Sequence, residues 1–315
     1  MYKILLLLLF VTAAPYAYGQ LDSLSKEDKR LLDSMFNNDE FIKLMMGKKR
    51  SSFEVRVTGG NQLLSTNNNN ANTGESKSSF ALIPAIDYYH KSGFGLTLSS
   101  FLASDSGQFR PYQYAVNPYF DYYGKTVNLG FSYTRYIFNT ASRFSPNPFQ
   151  NAFYGNFLYT KFFLEPGLTI GYNTGKYTDV FIVNNIPRKL EVKLSDFSLS
   201  PYVLHDFHFY ELFSKDDGLK FAPSLSLVAG RQRAKAPGLN NPRLANFPIL
   251  KTILKNRFES DSKFQVQSIA ASVTLKYLYK DFFIGPSIYF DYYLPATTYK
   301  RLTSLFSVTA GFSFY

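Results

Sequence analysis

The sequence predicts an all-β fold, a transmembrane antiparallel up-and-down β-barrel of about 12 strands, preceded by a short helical segment. Three observations carry that expectation. From Ser52 onward, apolar and polar residues alternate with the two-residue period of strands whose two faces meet different surroundings. Short turns and long connections take turns along the chain. The composition holds 32 Phe and 25 Tyr but no Trp, and only 18% of residues are charged. At 315 residues the chain is long enough for one large domain.

Residues 1–19 read as a signal peptide. Lys3 supplies a positive start, Ile4 to Ala14 an apolar run, and Ala17-Tyr18-Gly19 the small residues of a cleavage site before Gln20. The run is shorter than the roughly 20 residues a spanning helix requires. No cysteine follows it, so lipid attachment at a cysteine is excluded.

Residues 20–50 are polar and helix-prone. Ser25 and Asp28 are spaced as a capping box, and Leu31, Leu32, Met35 and Phe36 then fall on one helical face. Asn38 is placed to cap a second helix carrying Phe41, Ile42, Met45 and Met46. The segment reads as a helical extension, with a plug or a docking element for a partner as the sharper alternative.

Residues 51–315 carry the strand signal. Val127, Leu129, Phe131 and Tyr133 oppose Asn128, Gly130, Ser132 and Thr134. Ile269, Ala271, Val273, Leu275 and Tyr277 oppose Ser268, Ala270, Ser272 and Thr274. Phe282, Ile284, Pro286, Ile288, Phe290 and Tyr292 oppose Gly285, Ser287, Tyr289 and Asp291. The small polar faces suit a wet interior and the apolar faces suit lipid. Short turns are expected at 90–93, 124–125, 165–167, 216–218 and 280–281, and long loops at 61–77, 104–112, 139–151, 174–188, 231–263 and 295–300. This asymmetry is that of a barrel with tight turns at one rim and long loops at the other, and an even strand count puts both chain ends at the short-turn rim.

A repeat marks the rims. Pro84-Ala85-Ile86-Asp87-Tyr88-Tyr89 and Pro118-Tyr119-Phe120-Asp121-Tyr122-Tyr123 each precede a short turn, and Asp291-Tyr292-Tyr293 recurs on a strand running the other way. Its aromatics suit the girdles at the membrane interfaces. Its acids Asp87, Asp121 and Asp291 are candidate lumen residues, either wall residues paired with bases such as Arg56 or a cation-selective ring. Pro84, Pro118, Pro201, Pro223 and Pro286 fall within expected strands, where a missing N–H calls for bulges or strand ends.

The chain closes Ala310-Gly311-Phe312-Ser313-Phe314-Tyr315, with Phe306, Val308, Ala310, Phe312 and Phe314 on one face. An aromatic end on an amphipathic strand is similar to the assembly signal of outer-membrane β-barrel (porin-like) proteins of Gram-negative bacteria. Residues 51–315 resemble that family, although Tyr315 lies one step off the apolar register. The resemblance implies an outer-membrane location, contact with outer-membrane lipids, and a periplasmic extension at 20–50 able to meet a periplasmic partner.

Little in the sequence points to catalysis. The absence of cysteine excludes thiol nucleophiles and cysteine-ligated metals, and three histidines leave little for a histidine site. Lipid hydrolases of this family pair a His with a Ser two residues later. His90 and Ser92 have that spacing but lie in an expected short turn, at the wrong rim. His205 and His208 are three apart, so a strand sends them to opposite faces. No catalytic, cofactor or metal site is assigned, and the chain is read as a non-enzyme. In 231–263, eight bases oppose Glu259 and Asp261, a net +6. Arg231, Arg233, Lys235, Lys251, Lys255 and Arg257 are candidate contacts for an anion or lipid headgroup, with Lys251 and Lys255 one turn apart on a short helix beginning near Pro248. Export makes nucleic acid an unsuitable partner. The expected function is a passive or weakly selective channel for small solutes. The alternatives are a closed barrel acting through its loops and periplasmic helices and, third, an outer-membrane lipid hydrolase.

Overall fold

The computed structural model describes residues 51–64, 77–105, 108–139, 149–183, 186–237, 260–295 and 301–315. The signal peptide, the 20–50 helices, and Arg243, Lys251, Lys255 and Arg257 lie outside the described residues.

The strands are β1 (Ser52–Leu64), β2 (Lys77–Tyr89), β3 (Phe94–Asp105), β4 (Gln108–Tyr123), β5 (Val127–Phe138), β6 (Phe149–Tyr159), β7 (Glu165–Val183), β8 (Ile186–Leu204), β9 (Phe207–Tyr210), β10 (Asp217–Lys235), β11 (Ser260–Asp261), β12 (Gln265–Tyr279), β13 (Phe282–Tyr293) and β14 (Leu302–Phe314). Each long strand pairs antiparallel with its neighbours in sequence. The short β9 continues β8 along one edge of β10, and β11 continues β12 along the other. Twelve wall strands result. The ring closes where β1 meets β14, from Phe53↔Phe314 to Gly60↔Ser307. Closure leaves no edge strand with unpaired N–H and C=O groups, which in hydrocarbon would cost several kcal/mol each, of order that for any unsatisfied polar group.

Two expected loops are strand instead. At 104–112, β3 and β4 stay paired to Asp105↔Gln108, and at 174–188, β7 and β8 stay paired to Val183↔Ile186. Arg231–Lys235 likewise belong to β10 rather than to a loop. The physical reason is common to all three. Beyond the apolar belt both faces of a strand meet water, so polarity no longer alternates, while the ladder hydrogen bonds persist. Two short turns also shift: the chain reverses at 160–164 and 211–216, and β7 and β10 start at Glu165 and Asp217.

Four prolines interrupt one ladder each while keeping the other. Pro84 stays in register with Val57 on β1, but the β2–β3 ladder skips from Leu82↔Leu102 to Ala85↔Ser99. Pro118 pairs with Leu96, and the β4–β5 ladder breaks beside it. Pro201 and Pro286 repeat the pattern on the β8–β10 and β12–β13 seams. Each missing donor is thus confined to one seam. Bulges occur elsewhere, in the β3–β4 pairing at Phe101/Leu102, the β6–β7 pairing at Phe149/Asn151 and the β10–β12 pairing at Val228/Ala229.

The two faces separate as the alternation requires. Phe131, Leu225 and Phe312 are each more than half exposed on the outer face, whereas Ala85, Ala115, Thr134, Ala270 and Asp291 are buried on the inner one. A protein that keeps its large apolar side chains outside and small or polar ones inside is built for a surrounding apolar medium. At the loop rim the inward side chains of β8, Leu190, Val192 and Leu194, form a small core with Phe149 and Ala236.

Candidate functional site: the inner wall and its cavity

The inner wall is polar and ring-rich. Its geometry rests on a recurrent pairing in which an inward ring lies over a glycine of the neighbouring strand. Tyr119 on β4 faces Gly95 on β3, Tyr202 on β8 faces Gly167 on β7, Tyr154 on β6 faces Gly171 on β7, and Phe283 on β13 faces Gly311 on β14. A Cβ built on Gly95 would fall 2.1 Å from the Tyr119 ring, and one on Gly167 2.2 Å from the Tyr202 ring. The glycines therefore let the rings fold flat against the wall instead of projecting across the lumen. Tyr119 also stacks on Tyr89 at 6.5 Å and 23°.

Near the short-turn rim the wall carries a charged cluster. Arg56 Nε donates to Asp87 Oδ2 at 2.7 Å and Nη2 to Oδ1 at 3.3 Å, while Glu54 lies 3.6 Å from Nε. Thr97 donates a further hydrogen bond to Asp87. Across the ring, Lys220 pairs with Asp206 at 2.5 Å, and Lys276 lies 4.1 Å over the Phe283 ring.

Between β2 and β6 the wall forms an open cavity of about 480 Å³, lined among others by Asp87, Asn117, Tyr119, Asp121, Tyr123 and Tyr154. Hydrogen bonds stiffen its floor: Asn117 Nδ2 donates to Thr134 at 2.5 Å, and Asn156 Oδ1 accepts from Tyr202 at 2.9 Å and Thr169 at 3.0 Å.

The three acids of the sequence repeat all lie on inward positions, but not together. Asp87 and Asp121 share this cavity near the short-turn rim. Asp291 is buried near the loop rim, hydrogen-bonded to Ser268. They do not form a ring. The cavity rings and the ring-over-glycine pairs were not legible as a site in the sequence. In the sequence Gly167 belongs to an expected short turn and Gly311 to the closing strand, and the pairing that gives each glycine its ring depends on strand register.

Of the candidate basic contacts, Arg231, Arg233 and Lys235 stand on the outward face of β10. Arg231 forks onto Asp261 through Nε at 2.9 Å and Nη2 at 2.8 Å, and Arg233 Nε reaches the same carboxylate at 3.0 Å. Hydrogen bonds from Arg231 above all, then Arg233, hold Asp261 below the ordinary aspartate range. Register adds residues that sequence reasoning missed. Lys176, Lys193 and Lys235 sit side by side on β7, β8 and β10, and Lys176 pairs with Glu191 at 2.9 Å. Below this row Phe197 packs on Phe264.

The histidines take structural positions. His90 Nδ1 lies 2.7 Å from Ser92 Oγ inside the turn between β2 and β3, and among the described residues no carboxylate bonds to the ring. His205, just beyond β8, packs between Phe163 and Phe207 at 4.1 and 4.4 Å, and His208 stacks on Tyr210. Among the described residues no cluster of His, Asp and Glu could hold a metal ion.

A closed wall, apolar outside and polar inside, defines a transmembrane β-barrel protein. No family model and no curated protein matches the chain. Solved structures do resemble it. The NanC porin is 12% identical with a TM-score of 0.37, covering 82% of this chain and 98% of that one. The β domain of the Bordetella autotransporter Brka is 10% identical with a TM-score of 0.41, covering 84% and 100%. A TodX monoaromatic hydrocarbon channel variant is 12% identical with a TM-score of 0.30, covering 84% and 89%. These likenesses concern fold.

Proposed function

We propose that the protein is a passive or weakly selective outer-membrane channel for small solutes. The observation that carries this reading is the cavity of about 480 Å³ on the inner wall, lined by Asp, Asn and Tyr side chains among others and bordered by rings folded onto glycines. Twelve strands fall between the roughly 8 that side chains fill and the 16–18 that leave an aqueous channel, so a narrow path suits the architecture. No catalytic step is part of the reading. Planar-bilayer recording of the purified protein tests it: discrete, ohmic conductance steps are expected, and a folded barrel that inserts without conducting refutes it.

One observation favours a second reading, a closed barrel acting through its loops and periplasmic segment. Inward residues towards the loop rim are buried, including Gln113, Asn173, Asp196, Ser268 and Asp291. On that reading conductance is absent, and deleting residues 20–50 removes a captured periplasmic partner. On either reading, the row Lys176–Lys193–Lys235 above the Phe197–Phe264 pair suits phosphates of outer-leaflet lipids.

A further inference from the structure

The cavity near the short-turn rim is lined by two carboxylates and no cation. Asp87 is already neutralised by the two hydrogen bonds from Arg56. Asp121 is different. Among the described residues it has no hydrogen bond or ion pair to a base. It lies against the wall because β5 offers Gly130 opposite it, where a Cβ would come within 2.9 Å of Oδ1. Tyrosine rings stand on either side of it along β4. Tyr119 is held flat by Gly95 and backed by Tyr89, and Tyr123 lines the same cavity. The site thus joins an unneutralised carboxylate, ring faces whose quadrupole is negative, and a volume within the 300–1,000 Å³ typical of small-molecule sites, about 480 Å³ here.

We propose that this cavity binds a small organic cation bearing an ammonium group, with Asp121 as the counter-charge and Tyr119 and Tyr123 as its aromatic walls. The proposal deepens the channel reading and rests on its solvent-open lumen, because the ligand must enter through the lumen. It also explains a feature that a featureless pore would not need. An aspartate placed over a glycine gains room to lie beside the rings, where a charge merely facing water could point inward.

Calorimetric titration of the detergent-solubilised full chain with choline tests it, with the uncharged isostere 3,3-dimethyl-1-butanol as control. Saturable choline binding is expected, with the isostere about tenfold weaker or more, the size of a charge contribution near 1.4 kcal/mol. Asp121→Asn should weaken choline by a similar factor, and Glu191→Gln, on the outer hairpin, should not. Tyr119→Phe should keep the affinity and Tyr119→Leu should lose it, which separates a ring face from a hydroxyl contact. Folding of each variant is checked by heat-modifiable electrophoretic mobility. Equal binding of the isostere, binding indifferent to Asp121→Asn, or no saturable binding by a folded barrel would overturn the site. A barrel that conducts but ignores choline overturns this proposal alone, and one that binds choline without conducting overturns the channel alone.

Discussion

Replacing Gly95 by Ala probes the ring-over-glycine packing directly. The added Cβ would meet Tyr119 Cζ at 2.1 Å and both Cε2 and Oη at 2.4 Å. Carbon atoms pack best at about 3.5–4.0 Å, so the ring must leave the wall. Overpacking of this kind costs about 1–3 kcal/mol, and the lost Tyr89–Tyr119 stack is part of that cost. Against it, alanine gains about 0.5–1 kcal/mol over glycine in a strand interior. A net destabilisation of about 0–2.5 kcal/mol, centred a little above 1, follows from these two terms. The sharper test is a change of sign. In a Tyr119→Ala background the clash is gone, and Gly95→Ala should become stabilising by about 0.5–1 kcal/mol. Reversible urea unfolding in lipid vesicles, followed by far-UV circular dichroism because the chain has no Trp, measures both. Additivity of the two substitutions within about 0.5 kcal/mol would refute the reasoning. In the wild-type background, the displaced ring should also lower single-channel conductance.

Three further outcomes follow from the same structure. Leu225→Arg, on the outer face of β10, should cost about 2–4 kcal/mol if it lies near the bilayer midplane, while Ser224→Arg, on the inner face, should fold; equal unfolding midpoints for the two would contradict the assigned faces. Asp217 accepts the amides of Leu212, Phe213 and Ser214 and the Tyr277 hydroxyl at 2.8–3.1 Å, so Asp217→Ala should abolish hydrogen-exchange protection at those three amides and leave the β1–β2 amides unchanged. Because its arginine partners lower its pKa, Asp261 holds β11 to β10 at and above the ordinary aspartate range and releases it as pH falls through the depressed value. Asp261→Asn should show the released state at all pH values, read as β11 amide exchange; a wild-type release near the ordinary aspartate pKa would argue against the arginine fork.

Much of the wall was readable residue by residue. A strand between lipid and water must alternate, so the faces of Val127–Thr134, Ser268–Tyr277 and Phe282–Tyr292 follow from period two alone. The inward positions of Asp87, Asp121 and Asp291 follow with them. Outside the apolar belt that rule lapses. Lys176 and Arg233 look like loop residues because both faces of their strands are wet, yet backbone pairing carries the strands on.

The amino-acid order by itself determined which side of each ribbon meets lipid, since burial in hydrocarbon is decided one side chain at a time. What only the tertiary structure decided is every relation that depends on register: that Tyr119 covers Gly95, that Asp121 rests over Gly130 beside two tyrosines, that Arg231 and Arg233 share Asp261, and that Pro84, Pro118, Pro201 and Pro286 each break a single seam. Register is set by the turn type and loop length of each hairpin, by bulges and by the closure of the whole ring, and the alternation of single side chains specifies none of these.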